Sequence, residues 1–336
     1  MANLILWNSL TNDNNHIRVI ACYQLASWLR QYGYTVKVID FCYLMSTEQL
    51  VDITKKHIGP DTLAIGVSST FWNQPSIPLR FSTEPEWVMN ARVKLQDKNL
   101  GWLLGGPAAV LNNHKLKWTK FRSFAEDALL QWMDQNSKKL IRRDLFDIRY
   151  SSLHFTKEDF IESYEVLPIE LGRGCQFKCR FCAYDLIGKK KGTYLKDYDL
   201  IREQLIRNYN EYGVTRYTVL DDTVNESEEK IFALADIAQH LPFKFEWIGF
   251  NRLDLIWSRP STIQALKDSG LRSAFFGIES FHPAAAMAVG KGWNGKQGKE
   301  FLLELKEKWG NEITWMLAFI VGLPKESAEH LEETFN

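Results

Sequence analysis

Three of the five cysteines lie within eight residues, in the run Gly172-Arg173-Gly174-Cys175-Gln176-Phe177-Lys178-Cys179-Arg180-Phe181-Cys182. The spacing C-x3-C-x2-C puts three thiolates on one loop, where they can serve a single inorganic centre. Cysteine thiolate is the usual ligand of a [4Fe–4S] cluster. Such a cube offers four irons, so three cysteines leave one open, and an open iron can take a small molecule through an amine and a carboxylate. Gly172, Gly174 and Gly188 let the backbone wrap the centre closely. The competing reading is a structural zinc site, which requires four closed ligands. Its fourth would come from Cys22, Cys42 or a distant His, and no second CxxC or HxxxH accompanies the loop.

This spacing, with an aromatic residue ahead of the last Cys, resembles the radical S-adenosylmethionine (SAM) superfamily. The resemblance implies that Cys175, Cys179 and Cys182 hold a [4Fe–4S] cluster whose open iron chelates the methionine part of SAM. An electron from the cluster then cleaves the sulfonium, and the 5′-deoxyadenosyl radical formed takes hydrogen from a substrate. It also implies an external electron donor such as flavodoxin or ferredoxin. Phe181 matches the aromatic whose backbone faces the adenine.

Four further segments carry the resemblance. Val219-Leu220-Asp221-Asp222-Thr223 offers a carboxylate that can accept hydrogen bonds from an ammonium group. The family holds the SAM amino group here, so Asp221 or Asp222 is expected to do so, although Asp222 also suits a helix N-cap. In Asn251-Arg252-Leu253-Asp254, Arg252 can fork onto a carboxylate and is expected near the SAM carboxylate or substrate, a surface salt bridge being the alternative. Glu279 closes Gly277-Ile278-Glu279-Ser280. A carboxylate there is costly to bury unless bonded, and the resemblance places it on the ribose or methionine of SAM. Ile320-Val321-Gly322-Leu323-Pro324-Lys325-Glu326 is similar to the family turn whose backbone packs on adenine, through Ile320 and Gly322. Glu326 is expected to open the next helix, and Lys325 stands where the family usually has Gly.

These motifs need elements to position them. Helix-spaced apolar residues run over His16–Tyr32, Ser46–His57, Glu86–Lys98 and Glu126–Asp134. Strand-like runs fall at Leu4–Trp7, Thr35–Ile39, Thr62–Ser68, Leu100–Leu104 and, weakly, Phe121–Phe124. After an irregular charged stretch, strands are expected at Val166–Leu171, Arg216–Leu220, Lys244–Ile248, Leu271–Ile278 and Glu312–Val321. Helices are expected at Asp199–Tyr212, Glu226–His240, Ser261–Ser269, Lys296–Lys308 and Glu326–Phe335. Such alternation predicts parallel sheets. The expected α/β fold has an N-terminal doubly wound parallel sheet over 1–140, a connector over 141–165, and a partial (β/α) TIM-like barrel over 166–336. The barrel reads as truncated within its fifth helix, without the sixth strand usual in the family.

A doubly wound domain ahead of such a barrel is similar to the cobalamin-binding radical SAM group. The small residues Ser68 after one strand and Gly105 and Gly106 after another would let a macrocycle or nucleotide tail approach backbone. The lower-ligand motif Asp-x-His-x-x-Gly is absent, and His16 reads as a surface residue at a helix start. Cobalamin would make methyl transfer to carbon the expected outcome. The alternatives are a cobalamin-independent radical reaction such as oxidation or rearrangement, or a metal-stabilised binding module. Sulfur insertion would need a second cluster, for which Cys22 and Cys42 are too few.

The chain has 336 residues, enough for two domains at roughly 150 each. Lys plus Arg and Asp plus Glu each number 41, so no chain-wide basic field for nucleic acid exists. Lys189-Lys190-Lys191 reads as a solvated loop. The longest apolar run, Trp315 to Leu323, is strand-sized and far short of the ~20 residues of a membrane span. The N-terminus lacks a basic n-region and a small-residue cleavage site, and the cysteines form no extracellular disulfide pattern, so a cytoplasmic enzyme is expected. The 12 Trp read as core. The substrate is not legible.

Overall fold

Short apolar runs form the strands of two separate parallel sheets. A computed structural model describes residues 1–8, 17–69, 84–96, 99–106, 109, 118–122, 124–138, 144–182, 194–291 and 295–335. The chain divides into two units: Met1–Asp147 with Ser151–Ile161 and Tyr184–Lys189, and Ile148–Tyr150 with Glu162–Ala183 and Lys190–Asn336.

In the first unit, β1 (Leu4–Trp7), α1 (Ile20–Gln31), β2 (Val36–Ile39), α2 (Thr47–His57), β3 (Ala64–Ser68), α3 (Glu86–Lys94), β4 (Gly101–Gly105), β5 (Thr119–Lys120) and α4 (Glu126–Ser137) follow in order. The strands pair in parallel as β2-β1-β3-β4-β5. This order reverses between β1 and β3, and ligands of such sheets bind beyond the strand C-termini at that point. Leu4 to Trp7 are all buried, as parallel strands covered on both faces are. Trp7 meets Trp102 edge-on at 5.5 Å and donates its indole N–H to Thr54 Oγ1 at 3.1 Å, so it is core. The helix expected over Ser46–His57 begins with Ser46 as N-cap, in a reciprocal pair with Gln49.

Two expectations shift. The weak strand expected at Phe121–Phe124 lies earlier, at Thr119–Lys120. The stretch read as a connector is structured, with Ser151–Ile161 in the first unit. There Phe155 meets Tyr23 edge-on at 4.8 Å, the His154 N–H donates to Ser27 Oγ, and Lys37 pairs with Glu158. These contacts join residues too far apart in sequence for periodicity to register.

The second unit contains β6 (Val166–Ile169), β7 (Gly172–Arg173), β8 (Tyr194–Leu195), α5 (Tyr198–Tyr212), β9 (Arg216–Val219), α6 (Glu228–Gln239), β10 (Glu246–Asn251), α7 (Leu253–Ser258), α8 (Thr262–Asp268), β11 (Leu271–Glu279), α9 (Pro283–Val289), α10 (Gly295–Trp309), β12 (Thr314–Phe319) and α11 (Ala328–Phe335). Its main sheet runs β12-β11-β10-β9-β6, every neighbouring pair parallel. Strands successive in sequence are thus neighbours in space, as in part of a (β/α) barrel. Pro168 is tolerated in β6 because that strand pairs on one side only, with β9. β7 and β8 form a separate antiparallel ribbon. The short helices α7 and α9 were not expected, since neither is long enough to show a period. Gly270 is required where α8 turns into β11: its φ is +86°, and a Cβ there would lie 2.2 Å from the Phe245 carbonyl oxygen. Among the described residues no helix is long and apolar enough to cross a membrane.

Candidate active site

The cysteine loop leaves the C-terminal end of β6 through the β7–β8 ribbon, whose base is tied by the Lys196 N–H donating to the Leu171 carbonyl at 2.7 Å. Gly174, at φ +98°, makes the turn into Cys175 that other residues resist. Cys175 is buried, and Cys179 and Cys182 are half-buried. The Cys182 N–H closes a turn on the Cys179 carbonyl, and the Arg180 N–H donates to the Val289 carbonyl at the end of α9. Cys175 Sγ lies 3.5 Å from Thr223 Oγ1, just past β9.

A buried charge network stands behind the loop. Lys230 on α6 is 1% exposed and bonds Asp221 Oδ2 at 2.5 Å and Glu226 Oε1 at 3.2 Å. Asp221 Oδ1 accepts the Leu171 N–H at 2.8 Å. Burial pulls the Lys230 ammonium toward neutrality, but the two carboxylates outweigh it and hold its pKa above the ordinary lysine value. Asp221 is therefore committed to the scaffold. Asp222, the next residue, has no ion pair among the described residues. Burial pushes its carboxyl up to about 7, with the charges of Glu170 and Glu226 adding to the rise against the opposing pull of a backbone bond and Lys230. Asp222 is no helix cap, because Ser227 caps α6 and accepts the Lys230 N–H. Glu226, expected within the helix, turns inward ahead of it.

Arg252 follows β10. It forks onto Asp254 at 3.0 and 2.6 Å and points Nη1 at Cys179 Sγ, 3.5 Å away. The pair is thus part of the cysteine site and not a surface salt bridge. Glu279 ends β11 at a register shift with φ +66°, a conformation that costs a non-glycine residue energy and clusters at functional sites. Its carboxylate lies 3.5 Å from Lys291 Nζ, which also donates to the Gly277 carbonyl. A Cβ on Gly277 would come within 2.6 Å of Glu279 Oε1, so that glycine makes room for the carboxylate.

The Ile320 N–H donates to the Glu279 carbonyl, joining the turn after β12 to the end of β11. Glu326 does not open the helix, which starts at Ala328. Its carboxylate accepts the N–H groups of Gly322 and Leu323 and the Ser280 hydroxyl, stapling the turn to the strand next door. Lys325 has φ +68°, the left-handed conformation that suits the glycine it replaces. Phe181 is exposed. Lys230, Lys291 and Thr223 had no sequence signal as site residues.

In the first unit, Ser68 ends β3 and Ser69 follows it, and the Ser69 N–H and hydroxyl both donate to the Gly105 carbonyl. A Cβ added to Gly105 meets nothing within 4 Å among the described residues, and Gly106 has φ +85°. His16 and Lys189–Lys191 lie outside the described residues.

The loop's chemistry fits a cluster better than a zinc ion. No group of three or more His, Cys, Asp or Glu side chains among the described residues is spaced to hold a metal ion; the loop's three thiolates are the donor set of a cube with one open iron and are one short of a closed zinc site. The cysteines invoked as a fourth zinc ligand are unsuited to it. Burial, reinforced by the charge of Asp40, pushes the Cys22 and Cys42 thiols up, so both stay protonated.

The model of the radical SAM superfamily matches residues 169–336. An uncharacterized methyltransferase of Pyrococcus horikoshii is 27% identical over 187 residues, which is 52% of this chain and 39% of that protein. TsrM from Kitasatospora setae, a radical SAM methyltransferase solved with cobalamin and a [4Fe-4S] cluster bound, superposes with a TM-score of 0.71 at 14% identity, covering 100% of this chain and 70% of TsrM. OxsB, a cobalamin-dependent SAM radical enzyme solved with aqua-cobalamin and SAM bound, gives 0.69 at 17% identity over 99% of this chain and 51% of OxsB. The structural likenesses show a shared α/β fold. The matched stretch spans 40% or less of the curated relatives' own length.

Lys230→Met leaves two buried carboxylates without their cation. It is expected to destabilise the second unit by about 3–5 kcal/mol, read as a lowered urea midpoint. A change below about 1 kcal/mol would show that the network does not hold the loop.

Proposed function

Because the chain belongs to the radical SAM superfamily, we propose that its second unit binds a [4Fe–4S] cluster through Cys175, Cys179 and Cys182 and presents SAM to it. The observation that carries the reading is the convergence of the cysteine loop, Asp222, Arg252 and Glu279 at the C-terminal ends of β6, β9, β10 and β11, where barrel sites form. Bound there, the cluster supplies one electron, drawn from an external donor such as flavodoxin or ferredoxin, to the reductive cleavage of SAM. Asp222, the acid at this strand end without an ion pair among the described residues, would accept hydrogen bonds from the amino group of SAM. Glu279, fixed by Lys291, accepts hydrogen bonds from the ribose or the methionine part. Phe181, Ile320 and Gly322 offer backbone to the adenine. The strained turns after β11 and β12 keep these groups in place before the ligand arrives.

The first unit is read as a cobalamin site, with Ser68, Gly105 and Gly106 facing the ligand and no imidazole assigned to cobalt. Its support is the 2-1-3-4-5 strand order, the open space at Gly105 and the cobalamin carried by both structural neighbours. With cobalamin present, the reaction is methyl transfer to a substrate carbon.

The test is anaerobic reconstitution with iron and sulfide. Wild type should retain about four irons per chain and cleave SAM on reduction. Cys175→Ala, Cys179→Ala and Cys182→Ala should lose both, and Cys42→Ala neither. A zinc-filled, iron-free wild type would remove the reading.

SAM affinity should depend on pH through Asp222. Below about pH 7 its carboxyl is protonated and no longer offers a charged acceptor to the SAM amino group, so binding should weaken as pH falls, approaching about tenfold per unit. Asp222→Asn should bind weakly and flatten the profile. A wild-type profile flat between about pH 6 and 8 would exclude Asp222 as the partner of the SAM amino group.

Gly105→Val tests the cobalamin site more cleanly than Gly106→Val, because its Cβ enters open space while Gly106 resists any side chain through its φ. After incubation with hydroxocobalamin and desalting, wild type should keep cobalt and Gly105→Val should lose it without losing stability. No cobalt in wild type leaves the cobalamin-independent radical reaction.

A further inference from the structure

We infer that Arg252 sets the reduction potential of the cluster by donating a fixed hydrogen bond to the Cys179 sulfur, instead of gripping a carboxylate of SAM or substrate. This rests on the proposed cluster site. The backbone of Arg252 is clamped first: its N–H donates to Asn225 Oδ1 and its carbonyl accepts from Asn225 Nδ2, both at 2.8 Å and both buried. The guanidinium is then held on three sides. Asp254 takes Nε and Nη2 at 3.0 and 2.6 Å. The Phe177 ring, itself part of the cysteine loop, lies 4.1 Å from the guanidinium carbon. Nη1 points at Cys179 Sγ, 3.5 Å away.

A carboxylate approaching this side chain would compete with Asp254 for the side-on edge and with Cys179 for Nη1. The sulfur contact, by contrast, comes preformed. The side chain is 7% exposed, so the bond acts in a medium that screens poorly. A donor on a ligand sulfur stabilises the more negative, reduced cluster and raises its potential. Asp254 tempers that charge, so the two residues set the value together, and Phe177 fixes the plane of the fork.

The experiment is a redox titration of the anaerobically reconstituted full chain, followed by the electron paramagnetic resonance signal of the reduced cluster, with iron content and SAM affinity measured on the same samples. Arg252→Gln should lower the ratio of reduced to oxidised cluster about tenfold at the wild-type midpoint, a shift of about 59 mV to more negative potential. Its SAM affinity should stay within about threefold of wild type, well below the loss expected for a charged partner. Asp254→Asn, which leaves the guanidinium charge untempered beside Cys179, should shift the midpoint the other way and serves if Arg252→Gln does not fold. An unchanged midpoint in a variant with normal iron content overturns the inference. So does an unchanged midpoint with SAM affinity lost more than about tenfold, which would make Arg252 a carboxylate ligand. Failure of wild type to hold a cluster overturns the proposed function itself, so the two failures are distinct.

Discussion

A lysine ammonium shut away from water governs the strand-end site. Lys230 joins α6 to the carboxylates of Asp221 and Glu226, and Asp221 passes the constraint to the Leu171 N–H, where the chain departs for the cysteine loop. Burying these charges is expensive, and such a network is stable only when its members are well paired. That need specifies the register between α6, the end of β9 and the root of the loop. It also separates two adjacent acids. Just past the end of β9, Asp221 serves the scaffold while Asp222 is left with a raised pKa and no ion pair among the described residues.

Strain is held at the neighbouring strand ends. Glu279 and Lys325 both occupy left-handed backbone, and neither has the glycine that would adopt it freely. The compensation is visible around them. Lys291 pairs with Glu279, Gly277 leaves space for its carboxylate, the Ile320 N–H bonds its carbonyl, and Glu326 gathers two backbone N–H groups and the Ser280 hydroxyl. Two strand-end turns far apart in sequence are thereby fastened to each other ahead of any ligand, which is what preorganisation of a binding site requires.

Much of this was legible in the sequence. The cysteine spacing is local, and the alternation of strands and helices follows from apolar periodicity, so the two parallel sheets and the polar strand ends could be read directly. What could not be read depends on direction. Nothing local says whether Asp221 or Asp222 faces inward. Lys230 lies four residues after Glu226, a spacing that reads equally well as a solvated helix pair. Arg-x-Asp was visible after β10, but its contact with Cys179 spans 73 residues. Glu326 was misread because an acid near a helix start is ordinarily a dipole partner, whereas here its carboxylate turns back to bind a strained loop.

The decisive measurement is an anaerobic crystal structure of the reconstituted protein with SAM, recorded with anomalous scattering at the iron edge. The account predicts a four-iron cluster with one thiolate each from Cys175, Cys179 and Cys182, SAM on the remaining iron through its amine and carboxylate, and the amine N–H groups against Asp222. It would be contradicted by a single zinc ion in the loop, or by a cluster whose fourth iron is closed by a protein ligand so that SAM binds elsewhere.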